Sequence, residues 1–88
     1  MNLVEIVSLL TKSGLRHKYD GSASTFVTEN LWNSDIVVEI CFRRAMTLNG
    51  TKKPDRFLAA LVTQGEDEIE LKTLSDLRKW AMTYIESK

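Results

Sequence analysis

The chain has 88 residues, with 12 Lys plus Arg, 12 Asp plus Glu, one His and one Cys. A chain of this length is expected to form one domain over residues 1–88, because chains divide into several domains only at greater lengths. The balanced charge argues against a protein that coats nucleic acid. A single Cys excludes an intramolecular disulfide, and one Cys with one His cannot complete a four-ligand structural zinc site.

The N-terminal segment resembles a secretory signal only superficially. Glu5 interrupts its apolar run, no basic residues precede the run, and no small-x-small cleavage site follows it. No stretch approaches the ~20 apolar residues that span a bilayer. A free Cys41 fits a reducing compartment. We therefore expect a complete cytoplasmic protein that makes no membrane contact.

The first predicted element is a helix over residues 2–13. Asn2 can cap it, and the apolar residues from Leu3 to Leu10 recur at i, i+3, i+4 and i+7. Gly14 is expected to end the helix with a positive φ angle. Leu15 then packs back on the helix, as in a Schellman ending.

Antiparallel strands are predicted next. Residues 15–19 and 24–31 flank a turn at Asp20-Gly21-Ser22, and a third strand runs from Ile36 to about Thr47. In this third strand, one alternating set is wholly apolar and must face the core. The opposite set is mixed. The core-facing set is Ile36, Val38, Ile40 and Phe42, and the mixed set is Val37, Glu39, Cys41 and Arg43.

Residues 54–64 fit two structures. Pro54 at a first helical position and Gly65 as a stop suit a helix. The same segment suits a strand paired with residues 69–72 across a turn at 65–67. We favour the strand, because residues 68–73 would otherwise need a distant partner.

A second helix is predicted at the C-terminus, with Ser75 as its N-cap. Six apolar residues lie on one face of this helix: Leu74, Leu77, Trp80, Ala81, Tyr84 and Ile85. The element order predicts an α+β fold, in which an antiparallel sheet of about four strands carries the N-terminal and C-terminal helices on one face.

The strands contain more apolar residues than one covered face needs. Val37 and Cys41 lie in the phase opposite to the core, and Trp32 falls in a turn-rich stretch from Asn30 to Asp35. These three residues form a candidate dimer face, covered by a second copy through a two-fold contact. Alternatively, residues 54–64 are a helix that buries the surplus within the monomer.

Charged residues form two further candidate sites. The acidic set at the last predicted hairpin could contact a basic partner protein, and it comprises Glu66, Asp67, Glu68 and Glu70. The basic set could contact nucleic acid if its members converge, and it comprises Arg16, Lys18, Arg43, Arg44, Lys52, Lys53 and Arg56.

Nothing in the sequence supports catalysis strongly. His17 lies between two cations, and Cys41 has His17 as its one candidate base. The sequence contains no glycine-rich phosphate loop and no calcium-loop pattern. We therefore expect no catalytic residues, no metal site and no cofactor.

The first 27 residues resemble the start of HicA-type mRNA interferase toxins: a short helix, Gly14, a strand, and Gly21-Ser22 leading to Phe26-Val27. The resemblance implies a fold like that of double-stranded-RNA-binding domains. In those toxins the catalytic His follows the Gly-Ser pair. Here that position is Ala23, so the resemblance does not extend to nuclease activity.

The function that the sequence favours is a non-enzymatic protein-interaction module of the inhibitor or adaptor type, homodimeric, and typical in size of accessory proteins of phages or mobile elements. The alternative is a nucleic-acid-binding module that uses the basic residues above.

Overall fold

The structure is a computed structural model that describes residues 2–20, 26–46 and 52–87. Within these ranges the chain forms two helices and five strands. They are α1 (Leu3–Lys12), β1 (Arg16–Asp20), β2 (Phe26–Trp32), β3 (Ile36–Met46), β4 (Lys52–Gln64), β5 (Asp67–Leu71) and α2 (Leu74–Glu86). The strands form one antiparallel sheet in the order β1-β2-β3-β4-β5. The predicted α+β class is confirmed, with five strands where about four were expected.

Helix α1 begins and ends as its sequence predicts. The Asn2 side chain accepts a hydrogen bond of 2.9 Å from the Glu5 backbone N–H. At the other end Gly14 has a φ of 105°. Its N–H donates to the Thr11 carbonyl at 3.1 Å, and the Leu15 N–H donates to the Leu10 carbonyl at 3.2 Å. These two bonds define a Schellman ending, and the buried Leu15 completes it.

Helix α2 starts earlier than predicted. Its N-cap is Thr73, whose hydroxyl oxygen accepts from the Asp76 N–H at 3.1 Å. The prediction that Ser75 caps the helix is therefore wrong, because Thr73 already supplies the capping oxygen and Ser75 lies inside the first turn. Further along the helix, Trp80 and Tyr84 stack with ring centroids 5.4 Å apart.

The turn between β2 and β3 is organised by Asn33. Its side-chain oxygen accepts from the backbone N–H groups of Asp35, at 2.9 Å, and of Ile36, at 2.8 Å. Its amide nitrogen donates to the Tyr84 hydroxyl at 3.4 Å, which ties the turn to α2. Strand β2 extends to Trp32, so the expectation that Trp32 lies in a turn is wrong.

Residues 54–64 belong to β4, which confirms the strand and excludes the helix. Ala60 and Val62 are buried beneath the helices. The pairing with β3 shifts between Cys41 and Phe42, whose partners are Ala59 and Phe57, so Leu58 is the extra residue of a β-bulge. At the other end of β4, a two-residue loop begins with Gly65, with a φ of 63°, and leads into β5. Of the predicted turn at Asp20-Gly21-Ser22, Asp20 is the last residue of β1, and Gly21 and Ser22 lie outside the described residues.

The hydrophobic core lies between the sheet and the two helices. The core-facing set predicted for β3 is confirmed, since Val38 and Ile40 are fully buried, Phe42 is 7% exposed and Ile36 packs against them. Among the described residues, no buried side chain is polar or charged. Both helices cover the same face of the sheet, as predicted. Within the described ranges, neither helix is long and apolar enough to cross a membrane.

Candidate interaction surface on the open face of the sheet

We call the side of the sheet opposite the helices the open face. Paired residues of an antiparallel sheet point to the same side, so the strand register defines its rows. The first row is Arg16, Trp32, Val37, Thr63 and Glu68, and the second row is Lys18, Asn30, Glu39, Leu61 and Glu70. By the same register, a third row contains Asp20, Thr28, Cys41 and Ala59, and a fourth contains Phe26, Arg43 and Arg56.

The centre of the open face is apolar. Val37 is 42% exposed, and Trp32, Cys41, Ala59 and Leu61 are half-buried. The three residues predicted as a dimer face therefore lie together on the side of the sheet that the helices leave uncovered.

Two shallow depressions mark this surface. One, of about 330 Å³, is lined by Lys18, Asn30, Trp32, Val37 and Glu39. The other, of about 270 Å³, lies beside Cys41, Ala59 and Leu61 between the carboxylates of Glu39 and Glu70. Both are open and wide. They suit the side chains of a partner protein better than an enclosed small molecule, which binds in deeper clefts.

The two edges of the open face carry opposite charges. The exposed side chains of Arg16 and Lys18 lie on edge strand β1, and those of Glu68 and Glu70 lie on edge strand β5. Four strand spacings of ~4.8 Å separate the two edges, which is about 19 Å. Glu39, also exposed, lies on the central strand between them.

One polar contact and one unpaired polar atom lie between these charges. The Thr28 hydroxyl and the Cys41 thiol approach to 3.9 Å across β2 and β3. The side-chain oxygen of Asn30 is buried and has no hydrogen-bond partner in the described structure. An unsatisfied buried acceptor costs about 1–3 kcal/mol. A partner that supplies a donor to Asn30 would remove that cost.

The structure divides the predicted acidic site. Glu66 lies in the β4–β5 loop, and Asp67 lies on the helix side of β5 by strand alternation. Glu68 and Glu70 alone of the four belong to the open face. Of the acidic set, Glu68 and Glu70 therefore adjoin the apolar centre at the β5 edge, whereas Glu66 and Asp67 lie off the open face.

The predicted basic set is also divided. Arg16, Lys18, Arg43 and Arg56 lie on the open face, with Arg43 and Arg56 directly paired. Lys18 and Arg43 are two strands and four residues apart, which is about 16 Å. The backbones of Arg44, Lys52 and Lys53 lie in β3 and β4, and their side chains are outside the described part. The four cations of this set whose side chains are described therefore form two groups on the open face, Arg16 with Lys18 and Arg43 with Arg56.

His17 and Cys41 are not brought together. His17 is exposed on β1 in the same row as the buried Leu31 and Val38, on the helix side of the sheet. Cys41 lies on the open face of β3, so the sheet separates the two side chains. Across the described ranges, no group of three or more His, Cys, Asp or Glu residues is arranged to hold a metal ion.

The members of this surface that sequence reasoning did not name as site residues include Asn30, Glu39, Ala59 and Leu61. The pairing of β2 and β4 with β3 brings them beside Val37 and Cys41. The available signal was the apolar content of both phases of residues 57–62. No protein-family model, curated protein or solved structure matches the chain.

Proposed function

We propose that the protein is a small non-enzymatic protein-interaction module, of the inhibitor or adaptor type, that acts in the cytoplasm and binds its partner through the open face. The observation that supports this proposal is the contrast between the two sides of one sheet. Both helices cover one side, whereas Trp32, Val37 and Leu61 lie on the side that nothing in the described chain covers.

The composition of the open face suits a protein partner. An apolar centre with a charged rim is the usual organisation of a protein–protein interface. Covering several hundred Å² of apolar surface at ~25 cal/mol per Å² contributes roughly 5–10 kcal/mol before the costs of association. Contact with a partner would also exclude water from Trp32 and Val37.

A matched pair of substitutions tests the proposal. Val37 is 42% exposed on the open face, and Val4 is 52% exposed on α1. Val37→Arg places a charge in the apolar centre and is expected to abolish both self-association and the capture of partner proteins by the immobilised chain. Val4→Arg makes the same chemical change on a helix and is expected to leave both intact.

The readouts are light scattering after size-exclusion chromatography, and mass spectrometry of captured proteins. Circular dichroism and thermal unfolding establish that both variants fold, which is expected because both positions are exposed. A folded Val37→Arg variant that associates and captures proteins like the wild type would remove the basis of the proposal.

A second candidate function is nucleic-acid binding. It is favoured by one observation, the direct pairing of Arg43 with Arg56 on the same face as Arg16 and Lys18. Binding of labelled RNA and DNA would weaken steeply with salt, and Arg43→Ala/Arg56→Ala would make that dependence shallower. Glu39, Glu68 and Glu70 on the same face oppose this function. Unmeasurable binding to single- and double-stranded RNA and DNA at low salt would exclude it.

A further inference from the structure

The opposite charges of the two sheet edges indicate what covers the open face. We infer that the partner is a second copy of this chain, packed face to face across a two-fold axis that runs parallel to β3. The basic β1 edge of each copy then lies over the acidic β5 edge of the other. This inference rests on the proposed function, because it names the partner that the open face binds.

The geometry follows from the strand order. A two-fold axis that lies between the two sheets, parallel to the central strand, places the β1 edge of one copy over the β5 edge of the other. Each residue keeps its position along the strand direction. The axis therefore places Arg16 opposite Glu68 of the second copy and Lys18 opposite its Glu70, since each pair shares a row. By symmetry both contacts occur twice.

The alternative orientation is electrostatically unfavourable. A two-fold axis perpendicular to the strands would place each edge over the same edge of the second copy. With this axis between the first two rows, Arg16 would lie opposite Lys18 of the second copy, and Glu68 opposite its Glu70. Like charges directly opposed across an interface disfavour association, so these four edge residues favour the axis parallel to β3, although that axis also sets Glu39 and Arg43 of the central strand opposite their own copies.

The size of the face is compatible with a reversible dimer. The part between the two edges is about 19 Å wide and, from Val37 to Arg43, about 20 Å long, which gives a flat area of ~400 Å² per copy. Two flat areas total ~800 Å², and the relief of the side chains brings the contact near the ~1,000 Å² at which specific interfaces begin. We therefore expect a dimer in equilibrium with monomer rather than an obligate one.

Exchange of edge charges tests the arrangement. Arg16→Glu/Lys18→Glu makes both edges acidic, and Glu68→Lys/Glu70→Lys makes both edges basic. Each variant alone would oppose like charges in its own dimer, and we expect each to dimerise about 10-fold or more weakly than the wild type. An equimolar mixture of the two restores opposite charges at every edge contact, so it is expected to form the heterodimer.

The chain offers matched controls for both variants. Glu66→Lys/Asp67→Lys makes the same charge change as the β5 variant, in adjacent residues that lie off the open face. Arg78→Glu/Lys79→Glu makes the same change as the β1 variant on the exposed side of α2. Both controls should dimerise like the wild type. Sedimentation velocity measures the affinities, and native mass spectrometry identifies the heterodimer by its mass.

Several outcomes would overturn the inference. They are a monomeric wild type, undiminished dimers of both edge variants, and a mixture that stays monomeric. A monomeric wild type whose capture of another protein is lost in Val37→Arg would overturn this inference and leave the proposed function standing. A monomeric wild type with no difference between Val37→Arg and Val4→Arg would remove both.

Cys41 provides an independent readout, since it is the single cysteine of the chain and lies on the central strand. The axis places Cys41 opposite its own copy across facing sheets ~10 Å apart. This separation is too large for a disulfide, whose Cα atoms lie about 4.4–6.8 Å apart. Oxidation should therefore give no disulfide-linked dimer, and dimerisation should protect Cys41 from a maleimide that modifies the monomer. Efficient disulfide formation, or equal maleimide reaction of Cys41 in monomer and dimer, would contradict the predicted position of the axis.

Discussion

The two faces of the sheet are built from alternate residues of the same strands, yet they differ in what covers them. On β3, Val38 and Ile40 are fully buried beneath the helices, while Val37 between Ile36 and Val38 is 42% exposed. All of these side chains are Val or Ile, so they are similarly apolar. Folding of the single chain accounts for the first face and leaves the apolar centre of the second without an explanation.

The polar residues differ in the same way. Among the described residues, the helix-covered core contains no buried polar or charged side chain. The open face carries Arg16 and Lys18 on β1, Glu68 and Glu70 on β5, and Glu39 and Arg43 on its central strand. A face that served only to keep the monomer soluble would not need oppositely charged pairs at its two edges. These edge pairs support the proposed dimer, in which each pair lies over its opposite.

The largest effect that tests this comparison is expected from the helix-covered face. Ile40→Ala removes a fully buried side chain and should lower the free energy of unfolding by about 2–5 kcal/mol, through lost burial and a residual cavity. Val37→Ala, on the same strand, should lower it by less than about 1 kcal/mol. Urea denaturation at a protein concentration low enough to keep the chain monomeric measures both. Equal losses at the two positions would mean that the faces do not differ in the free chain.

A smaller effect is expected where α1 ends. Gly14 has a φ of 105°, which costs an alanine about 1–2 kcal/mol. Gly14→Ala should therefore lower the free energy of unfolding by this amount and speed hydrogen exchange of the α1 amides. Leu15, which the Schellman ending seats in the core, transmits the change to the helix-covered face. Because core amides exchange through global unfolding, the sheet amides should lose protection by the same free energy, and an unchanged free energy of unfolding would contradict the prediction.

Much of the fold could be predicted because its signals are local. The α1 periodicity, its ending at Gly14 and the strict alternation in β3 each depend on a few neighbouring residues. The segment 54–64 was ambiguous because both of its phases are apolar, and an apolar run of this length suits a strand or a buried helix. The bulge at Leu58 also interrupts the alternation of buried and exposed residues in this segment. Only pairing with β3 and β5 decides between the two.

Some members of the candidate surface could be predicted, but its arrangement could not. The phase of β3 places Val37 and Cys41 away from the core, so the sequence alone was sufficient for them. The edge positions of Arg16 and Glu68 depend on the strand order, which no local pattern encodes. For the same reason the acidic set looked like one cluster, whereas strand alternation sends Asp67 and Glu68 to opposite sides of β5.

The smallest expected effect concerns Glu39, which lies near the proposed two-fold axis. There the carboxylates of the two copies approach each other, and this repulsion weakens the dimer. Glu39→Gln should therefore strengthen dimerisation about 3- to 10-fold, which corresponds to ~0.6–1.4 kcal/mol. Glu39 is exposed in the single chain, so the stability of the monomer should barely change. Glu86→Gln, the same change at an exposed position of α2, should leave the dimer affinity unaltered, and sedimentation velocity compares the two. Since most interface substitutions weaken binding, a gain at Glu39 alone would locate the axis at β3. A loss there would mean that the carboxylate accepts a hydrogen bond from the partner, and the axis would then have to lie elsewhere on the open face.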